Sequence, residues 1–367
     1  MNSDFFKSKS FLIPTLIWAV TIAVYGLTLD SGQRKHAGFV RTLIQWDARL
    51  YVSIARDGYE RFPCPGRPAD ICGNGGWFPL YPILGAIVAW SGIGHDYSML
   101  LVSWLAFWLA LLMLYRLVDL KYDAKTALGS LLALAIFPGT FYYLTAFPYS
   151  VYLALAVTAM YLLERAQYRW LWLITSALAA TYPSGALIGL PVAYALWRDF
   201  QKITRVDRLC LTGAMAAIPA AILIYFGYYW WAFGDFWLYL HIQSQSYYAH
   251  QATFPLLVIY RSLVDLPLGH PVFVCLVFVV TAAVLFLQRR LATGWQIYLI
   301  AVLLFTPAMG TTDCYYRHVV VAFPLFVAIA LGLRSKWRQW LVIVYAVAAV
   351  AINWLLLMPA YRMGMLM

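Results

Sequence analysis

One short polar stretch holds the residues best suited to chemistry in this chain. Residues 46–51 are Trp-Asp-Ala-Arg-Leu-Tyr, and they lie inside the longest polar interval of the sequence, residues 30–77. A carboxylate at a boundary between water and lipid can take the proton of an attacking hydroxyl group. The stretch therefore makes Asp47 the first place to look for chemistry. The competing interpretation is a surface ion pair between Asp47 and Arg41 or Arg49.

The composition predicts that most of the chain lies in a membrane. Hydrophobic residues make up 63% of the 367 residues, charged residues make up 11%, and the mean hydropathy is +0.73. Soluble domains carry about 25% charged residues. The net charge of +11 comes from basic residues scattered between apolar runs. Such a pattern orients a protein in the lipid bilayer, and it lacks the continuous basic face of a nucleic-acid-binding protein.

Eleven apolar runs predict an all-α polytopic membrane protein with about eleven transmembrane helices. No composition shift separates a soluble domain, so residues 1–367 are expected to form one integral membrane domain. Lys7 and Lys9 precede the first run, and no cleavage site follows it, which predicts an uncleaved helix with an inside N-terminus. The runs fall at about 11–29, 78–94, 98–118, 127–146, 148–164, 170–197, 209–232, 270–287, 295–308, 318–333 and 339–358.

Basic residues between the runs set the expected orientation, because Lys and Arg accumulate in cytoplasmic loops. With eleven crossings, three basic loops lie inside and three polar intervals lie outside. The inside loops are 198–208, 289–290 and 334–338, and the outside intervals are 30–77, 233–269 and 309–317.

Two basic clusters, 116–125 and 165–169, contradict this count because they fall outside. Both clusters move inside if residues 78–94 re-enter the membrane from one side and residues 170–197 form a broken hairpin. The sequence leaves both arrangements open.

The first outer loop, residues 30–77, is predicted to carry an amphipathic helix over residues 40–56, lying on the membrane with its apolar side down. Asp47 and Tyr51 are four residues apart, so they stand one above the other on that helix. Gly58 marks its end.

Two cysteines of the same loop, Cys64 and Cys72, could form a disulfide on the oxidising side of a bacterial membrane. A metal pair is the weaker interpretation, because no histidine lies in that stretch and the spacing matches no zinc pattern. The Pro-rich residues 63–68 between them predict an irregular excursion. Cys210 and Cys275 lie in apolar runs and are expected to be packing residues.

No nucleotide-binding or zinc-binding motif is present, so an activated lipid is the expected substrate. Four stretches, in order, resemble the PIG-V-type mannosyltransferases of the GT-C superfamily of membrane glycosyltransferases. The first joins residues 46–59 to Trp-Phe-Pro-Leu-Tyr-Pro at 77–82. The others are Phe-Pro-Gly-Thr-Phe through Tyr-Ser at 137–150, Ala-Thr-Tyr-Pro-Ser-Gly at 180–185 and Arg-His-Val-Val-Val-Ala-Phe-Pro at 317–324.

The resemblance implies an inverting transfer of a sugar, mannose first, from a polyprenyl-phosphate donor. The acceptor would be a hydroxyl group of a glycolipid, glycan or protein on the outer face of a bacterial inner membrane, facing the periplasm. Two positions depart from the family. Val151 stands where the family usually has Glu, and Tyr182 stands where it has Arg, which implies a different handling of the sugar or head group.

Candidate roles follow from this resemblance and from residue chemistry. Asp47 is the expected catalytic base, and Arg317 is the first candidate to bind the donor phosphate, since Arg stabilises phosphate through paired hydrogen bonds. Arg49 and Arg56 are second candidates, and His318 could add a donor. Snorkelling to the interface is the competing explanation for each arginine.

Aromatic residues near these groups are candidates for substrate binding: Trp46, Tyr51, Tyr59 and Tyr149. Interfacial anchoring explains such residues equally well.

Two histidines, His241 and His250, lie in the outer segment 233–269 and suggest an acceptor-facing or lid segment. They are too far apart for a good metal site. No cofactor is expected, although a divalent cation shared by phosphate and Asp47 stays open. Asp57, Asp235 and Asp313 are weaker acid candidates.

Two other functions stay open at this point. One is a transporter or flippase of lipid-linked sugars, which should show internal repeats and charges within its spans. The other is a non-catalytic membrane subunit of an envelope glycan complex.

Overall fold

The computed structural model describes residues 9–30, 38–64, 66–245, 250–286, 291–334 and 336–363. Helices dominate this part of the chain, and its strands form one two-stranded sheet. The predicted all-α polytopic membrane fold is therefore confirmed. The first elements are α1 Lys9–Asp30, α2 Phe39–Leu43, α3 Asp47–Asp57, β1 Arg61–Cys64, β2 Arg67–Gly73, α4 Leu80–Ala89, α5 His95–Lys121, α6 Ala124–Ile136 and α7 Tyr149–Glu164.

The remaining helices follow in the same order, with short 3₁₀ segments at Thr140–Tyr143, Tyr168–Trp170, Pro183–Ile188 and Val319–Val321. A π-helical turn, Ile352–Leu357, connects the last two helices. These helices are α8 Leu171–Ala179, α9 Gly189–Asp199, α10 Arg205–Phe233, α11 Leu238–Gln243, α12 Pro255–Asp265, α13 Pro271–Phe286, α14 Thr293–Ala308, α15 Tyr315–His318, α16 Phe323–Gly332, α17 Lys336–Ala351 and α18 Met358–Arg362.

Four described helices are long and apolar enough to cross a membrane, and one bent pair makes a fifth. The long helices are Lys9–Leu29, His95–Lys121, Arg205–Phe233 and Gln339–Arg362. Five further apolar helices are shorter, with 10–17 residues. Each apolar run read from the sequence contains at least one helix, but the expected arrangement of about eleven spans changes at two places.

The first change concerns residues 78–94, where α4 has only 10 residues. A helix of that length covers about 15 Å, half of the ~30 Å hydrocarbon core. Its start packs against a deeper part of α5, because the Tyr81 hydroxyl bonds Met99 O at 3.0 Å and Ser103 Oγ at 2.7 Å. The helix then returns to the beginning of α5 at His95. Residues 78–94 therefore begin and end toward the same end of α5, as a re-entrant segment would.

The second change concerns residues 170–197, which form a broken hairpin from α8 and α9. The break lies at Tyr182, whose extended backbone (φ −162°, ψ 149°) precedes Pro183. Both arms end on the same side, because the segment Tyr168–Trp170 before α8 packs against α10, which begins at Arg205 shortly after α9 ends. Proline disfavours helical geometry in the residue before it, which explains the break.

The two changes bring the basic loops to one end of the bundle. Lys121 pairs with Glu164 at 2.8 Å, and Arg334 pairs with Asp123. Trp295 Nε1 donates to Glu164 Oε1 at 3.1 Å. The clusters at 116–125 and 165–169 therefore lie at the same end of the bundle as the loop at 198–208. This agrees with the arrangement in which residues 78–94 re-enter and residues 170–197 form a broken hairpin. Arg289 and Arg290 lie outside the described residues.

A buried asparagine ties the C-terminal helices to the middle of the chain. Asn353 lies in the π-helical turn and is fully buried. Its amide nitrogen donates to Ile136 O at 2.8 Å and Phe137 O at 2.9 Å, and its oxygen accepts from Gly139 N at 3.0 Å. Buried polar groups need such partners. The clamp fixes the irregular segment that separates α6 from α7.

The outer loop differs from its prediction in two ways. The expected continuous helix over 40–56 is broken at residues 44–46, so Asp47 is the first residue of α3. Gly58 ends α3 as expected, with its N–H on Ile54 O. The excursion predicted as irregular contains the antiparallel hairpin β1–β2, in which a disulfide joins Cys64 to Cys72 with their Cα atoms 4.9 Å apart.

Candidate active site

An ion pair between residues far apart in the sequence lies at the centre of the candidate site. Arg317 Nη2 donates to Asp47 Oδ2 at 2.6 Å, across 270 residues of sequence. The side chain of Arg317 is 12% exposed and that of Asp47 is 27% exposed. Charge-assisted hydrogen bonds in such partly desolvated places are stronger than those at the surface. The pair joins the first outer loop to α15.

The backbone around Asp47 explains its position. Trp46 has a positive φ of 49°, and its ring packs edge-on against Tyr361 with 4.9 Å between centroids. This turn ends the short helix α2 and starts α3 at Asp47, so the carboxylate lies at a helix N-terminus. The positive end of the helix dipole favours a negative charge there.

Arg317 is held by a similar local irregularity. Cys314 has φ 58° and begins α15, a helix of four residues. The guanidinium lies over the Phe147 ring, 5.3 Å from its centroid. Arg317 Nε is buried and has no hydrogen-bond partner among the described residues. Trp46 and Cys314 are two of the three non-glycine residues with positive φ in the described part, and such strain concentrates at functional sites.

A cavity of about 1020 Å³ opens beside the ion pair. Its walls come from the start of α3, the entry to α4, the tip of the α8–α9 hairpin, the start of α7 and α15. These elements all lie away from the basic loops. Of the nine residues predicted as the base, as phosphate ligands or as substrate contacts, seven line this cavity: Trp46, Asp47, Arg49, Tyr51, Tyr149, Arg317 and His318.

Two of the sequence candidates lie elsewhere. Arg56 is exposed and pairs with Asp57 at 2.8 Å, and it lines a separate cavity of about 450 Å³ behind α3. The hydrogen bond from Arg56 lowers the pKa of Asp57. Tyr59 donates to Trp77 O at 2.7 Å and packs on Tyr229, so it supports the loop. Helical spacing alone could not reveal that α3 presents Arg56 to its far side.

One wall of the cavity holds a group of hydroxyls around an imidazole. The Tyr182 hydroxyl lies 3.0 Å from His318 Nδ1, and the Tyr149 hydroxyl lies 3.4 Å from the same atom. Tyr182 was singled out in the sequence only as a departure from a family pattern. The other departure, Val151, is buried and does not line the cavity.

The opposite wall comes from the outer segment 233–269 and from Asp313. Gln243 and His250 both line the cavity and are joined by a 2.7 Å hydrogen bond. Burial lowers the pKa of His250, and the carboxylate of Asp313 opposes that shift. His241 also lines the cavity and pairs with Asp235 at 2.9 Å. Sequence reasoning missed the role of Gln243, because an isolated amide carries no motif.

Metal ligation finds no support among the residues that the structure describes, where no three His, Cys, Asp or Glu side chains are grouped closely enough to hold an ion. Asp47 and Asp313 are the two carboxylates on the cavity wall. The question of a divalent cation shared with a phosphate stays where the sequence left it.

Solved structures of other membrane proteins have a similar architecture. ArnT from Cupriavidus metallidurans, bound to undecaprenyl phosphate, matches with a TM-score of 0.58 at 16% identity, over 90% of this chain and 62% of ArnT. The archaeal oligosaccharyltransferase AglB from Archaeoglobus fulgidus, in complex with an inhibitory peptide and a dolichol-phosphate, matches with a TM-score of 0.51 at 12% identity, over 98% of this chain and 56% of AglB. The chain shares the fold of these structures.

The GT-C likeness rests on structure. No family model and no curated protein sequence matches the chain. An Archaeoglobus fulgidus oligosaccharyltransferase solved with Zn and sulfate has 13% identity and a TM-score of 0.51, and the match covers 94% of this chain and 53% of that one. The chain thus spans between half and two thirds of the length of these GT-C neighbours.

The sequence prediction that Arg317 binds the phosphate of a lipid can be tested by substitution. Replacing Arg317 with Lys keeps the positive charge beside Asp47 but removes the planar, paired donors. We expect binding of polyprenyl phosphate to the purified protein to weaken about 10- to 100-fold, the range for lost hydrogen bonds to a charged group. Direct titration in detergent measures this change. Arg56→Lys is the matched control and should stay within about twofold, and equal losses in both variants would contradict the assignment.

Proposed function

We propose that the chain is an inverting GT-C glycosyltransferase that moves a sugar from a polyprenyl-phosphate donor to an acceptor hydroxyl group. The observation that carries this proposal is the Asp47–Arg317 pair beside the large cavity, within a fold that solved neighbours share. One neighbour was solved bound to undecaprenyl phosphate and another with a dolichol-phosphate. A carboxylate and an arginine at one site supply the base and the phosphate ligand that this reaction needs.

Arg317 would hold the leaving group. As the bond between the anomeric carbon and the phosphate oxygen breaks, negative charge builds up on the phosphate. The guanidinium has five N–H donors, of which Nη2 contacts Asp47 and the buried Nε has no partner among the described residues. A phosphate oxygen that accepts from the Nε–H group would satisfy it, and the guanidinium would then stabilise the developing negative charge most strongly where water is excluded.

Asp47 would act as the base. The acceptor oxygen forms the new bond to the anomeric carbon from the face opposite the phosphate, and its proton passes to the carboxylate. The products are the glycosylated acceptor with inverted configuration and the polyprenyl phosphate. Because Arg317 Nη2 is engaged with Asp47 at 2.6 Å, a phosphate that takes over this guanidinium releases the carboxylate toward the acceptor. Donor binding would then precede base activation.

The lipid part of the donor requires an apolar path into the cavity. Phe78, Val272 and Phe305 contribute such surface to its lining. Gln243, His250 and Asp313 on the opposite wall offer hydrogen bonds to an acceptor, whether this is a glycolipid, a glycan or a protein. Such placement fits a donor that enters from the bilayer and an acceptor that arrives from the aqueous side.

Mannose is the first sugar to test, because four stretches resemble the PIG-V-type mannosyltransferases. The resemblance is compatible with the site at Asp47 and Arg317. Tyr182, one of the departures from that family, lines the cavity, so this wall is where a different sugar or head group would be recognised.

The proposed reaction is tested by giving purified protein in detergent a labelled polyprenyl-phosphate mannose and a mixture of lipid and glycan acceptors. We expect labelled product whose anomeric configuration, read by NMR, is opposite to that of the donor. A panel of other polyprenyl-phosphate sugars identifies the preferred donor. Transfer with retained configuration would contradict inversion. Transport of the donor across proteoliposomes without transfer would favour the flippase hypothesis.

The orientation that we propose places the basic loops in the cytoplasm and the cavity outside, in the periplasm of a bacterial inner membrane. The disulfide in the first loop fits that oxidising side. In intact spheroplasts of a Cys210→Ala background, a membrane-impermeant thiol reagent should label Leu268→Cys and leave Lys202→Cys unlabelled until the membrane is opened. The reverse pattern would show that the cavity faces the cytoplasm.

A further inference from the structure

The hydrogen bonds around His318 restrict which of its ring nitrogens carries the proton. Tyr182 and Tyr149 both place their hydroxyls on Nδ1, at 3.0 Å and 3.4 Å. Neither hydroxyl has another hydrogen-bond partner among the described residues. Each phenol has a proton to donate, and a buried donor without an acceptor is costly. The single lone pair of an unprotonated Nδ1 accepts from the closer hydroxyl, that of Tyr182, and if Nδ1 carried the proton this phenol proton would lack its acceptor. The network therefore assigns Nδ1 as the acceptor, and the proton of a neutral imidazole then resides on Nε2.

The second ring nitrogen is available to a ligand. His318 is half-buried, lines the cavity and follows Arg317 directly in α15. Its Nε2 has no hydrogen-bond partner among the residues that the structure describes. An Nε2–H in this place is a neutral donor next to a cation, so a bound phosphate can accept from both residues.

The turn that carries Tyr182 is built to hold the ring in this position. Pro183 restricts Tyr182 to extended backbone, as observed. Gly185 then lets the chain pass close to α8, because a Cβ at that position would lie 2.1 Å from Leu178 O. The Tyr182 ring also packs against Tyr149, with 5.8 Å between centroids. The break in the α8–α9 hairpin thus places the Tyr182 hydroxyl within hydrogen-bond distance of His318 Nδ1.

We propose that Tyr182 is a positioning residue that fixes His318 as the Nε2–H tautomer, so that the imidazole donates a neutral hydrogen bond to the phosphate of the lipid donor. The inference rests on the proposed function, because it assumes that a lipid phosphate occupies the cavity. Arg317 then supplies the positive charge that attracts the phosphate, and His318 supplies a hydrogen bond that orients it. Tyr149, with the longer contact, contributes less than Tyr182.

The test measures binding of polyprenyl phosphate, which carries no sugar, to purified variants in detergent. Tyr182→Phe keeps the ring and should weaken binding about fivefold, the effect of one neutral hydrogen bond. His318→Gln places an amide donor near the position of Nε2 and should stay within about threefold of wild type, whereas His318→Asn reaches only the Nδ1 position and should lose about tenfold or more. Tyr182→Phe added to His318→Gln should change little, because the acceptor nitrogen is already gone.

Tyr81→Phe is the matched control, since its buried hydroxyl bonds Met99 O at 3.0 Å and Ser103 Oγ at 2.7 Å and does not contact His318 or the Tyr182 turn. We expect wild-type binding of polyprenyl phosphate by that variant. Equal binding by His318→Gln and His318→Asn, or a Tyr182→Phe effect that persists in His318→Gln, would overturn the tautomer assignment while leaving the transferase proposal intact. Absence of polyprenyl phosphate binding by the wild-type protein would overturn both.

Discussion

The candidate site depends on one contact, the ion pair that joins Asp47 in the first outer loop to Arg317 near the other end of the chain. Neither residue lies within a long helix. Asp47 starts α3 after a backbone turn at Trp46, and Arg317 lies in a four-residue helix after a turn at Cys314. An unpaired charge in a poorly hydrated place is strongly unfavourable, so the pair constrains how both loops pack. If the phosphate of the lipid donor replaces Asp47 as the partner of Arg317, binding of the donor would free the catalytic base.

Incomplete helices make room for this pair. The half-length α4 begins beside the cavity, and the break in the hairpin at Tyr182 and the end of the irregular segment clamped by Asn353 lie next to it. Backbone without regular helical bonds is tolerated at membrane depth only where protein or a cavity surrounds it. The irregular elements therefore gather at the site, while the long helices α1, α5 and α10 form the scaffold around it.

Hydropathy and short motifs predicted much of this arrangement. The apolar runs gave the helices, and the polar loop singled out Asp47, because such signals are local in the sequence. The pairing with Arg317 was not expected as a direct contact, since it joins residues far apart in the chain. Arg56 was a second candidate for the donor phosphate but does not line the large cavity, because the break before α3 determines which side of that helix faces the cavity. Tyr182 was noticed only as a departure, because its hydrogen bond to His318 depends on tertiary packing.

The most direct test of the account compares Asp47→Asn with wild type in two assays on the same purified protein. Asparagine keeps an oxygen acceptor for Arg317 but cannot take a proton from the acceptor. We predict that sugar transfer falls at least ~100-fold, the lower range of general-base catalysis, while polyprenyl phosphate binding is retained. Asp57→Asn, outside the cavity, should leave both unchanged. Transfer by Asp47→Asn at the wild-type rate would contradict the central claim that Asp47 is the base.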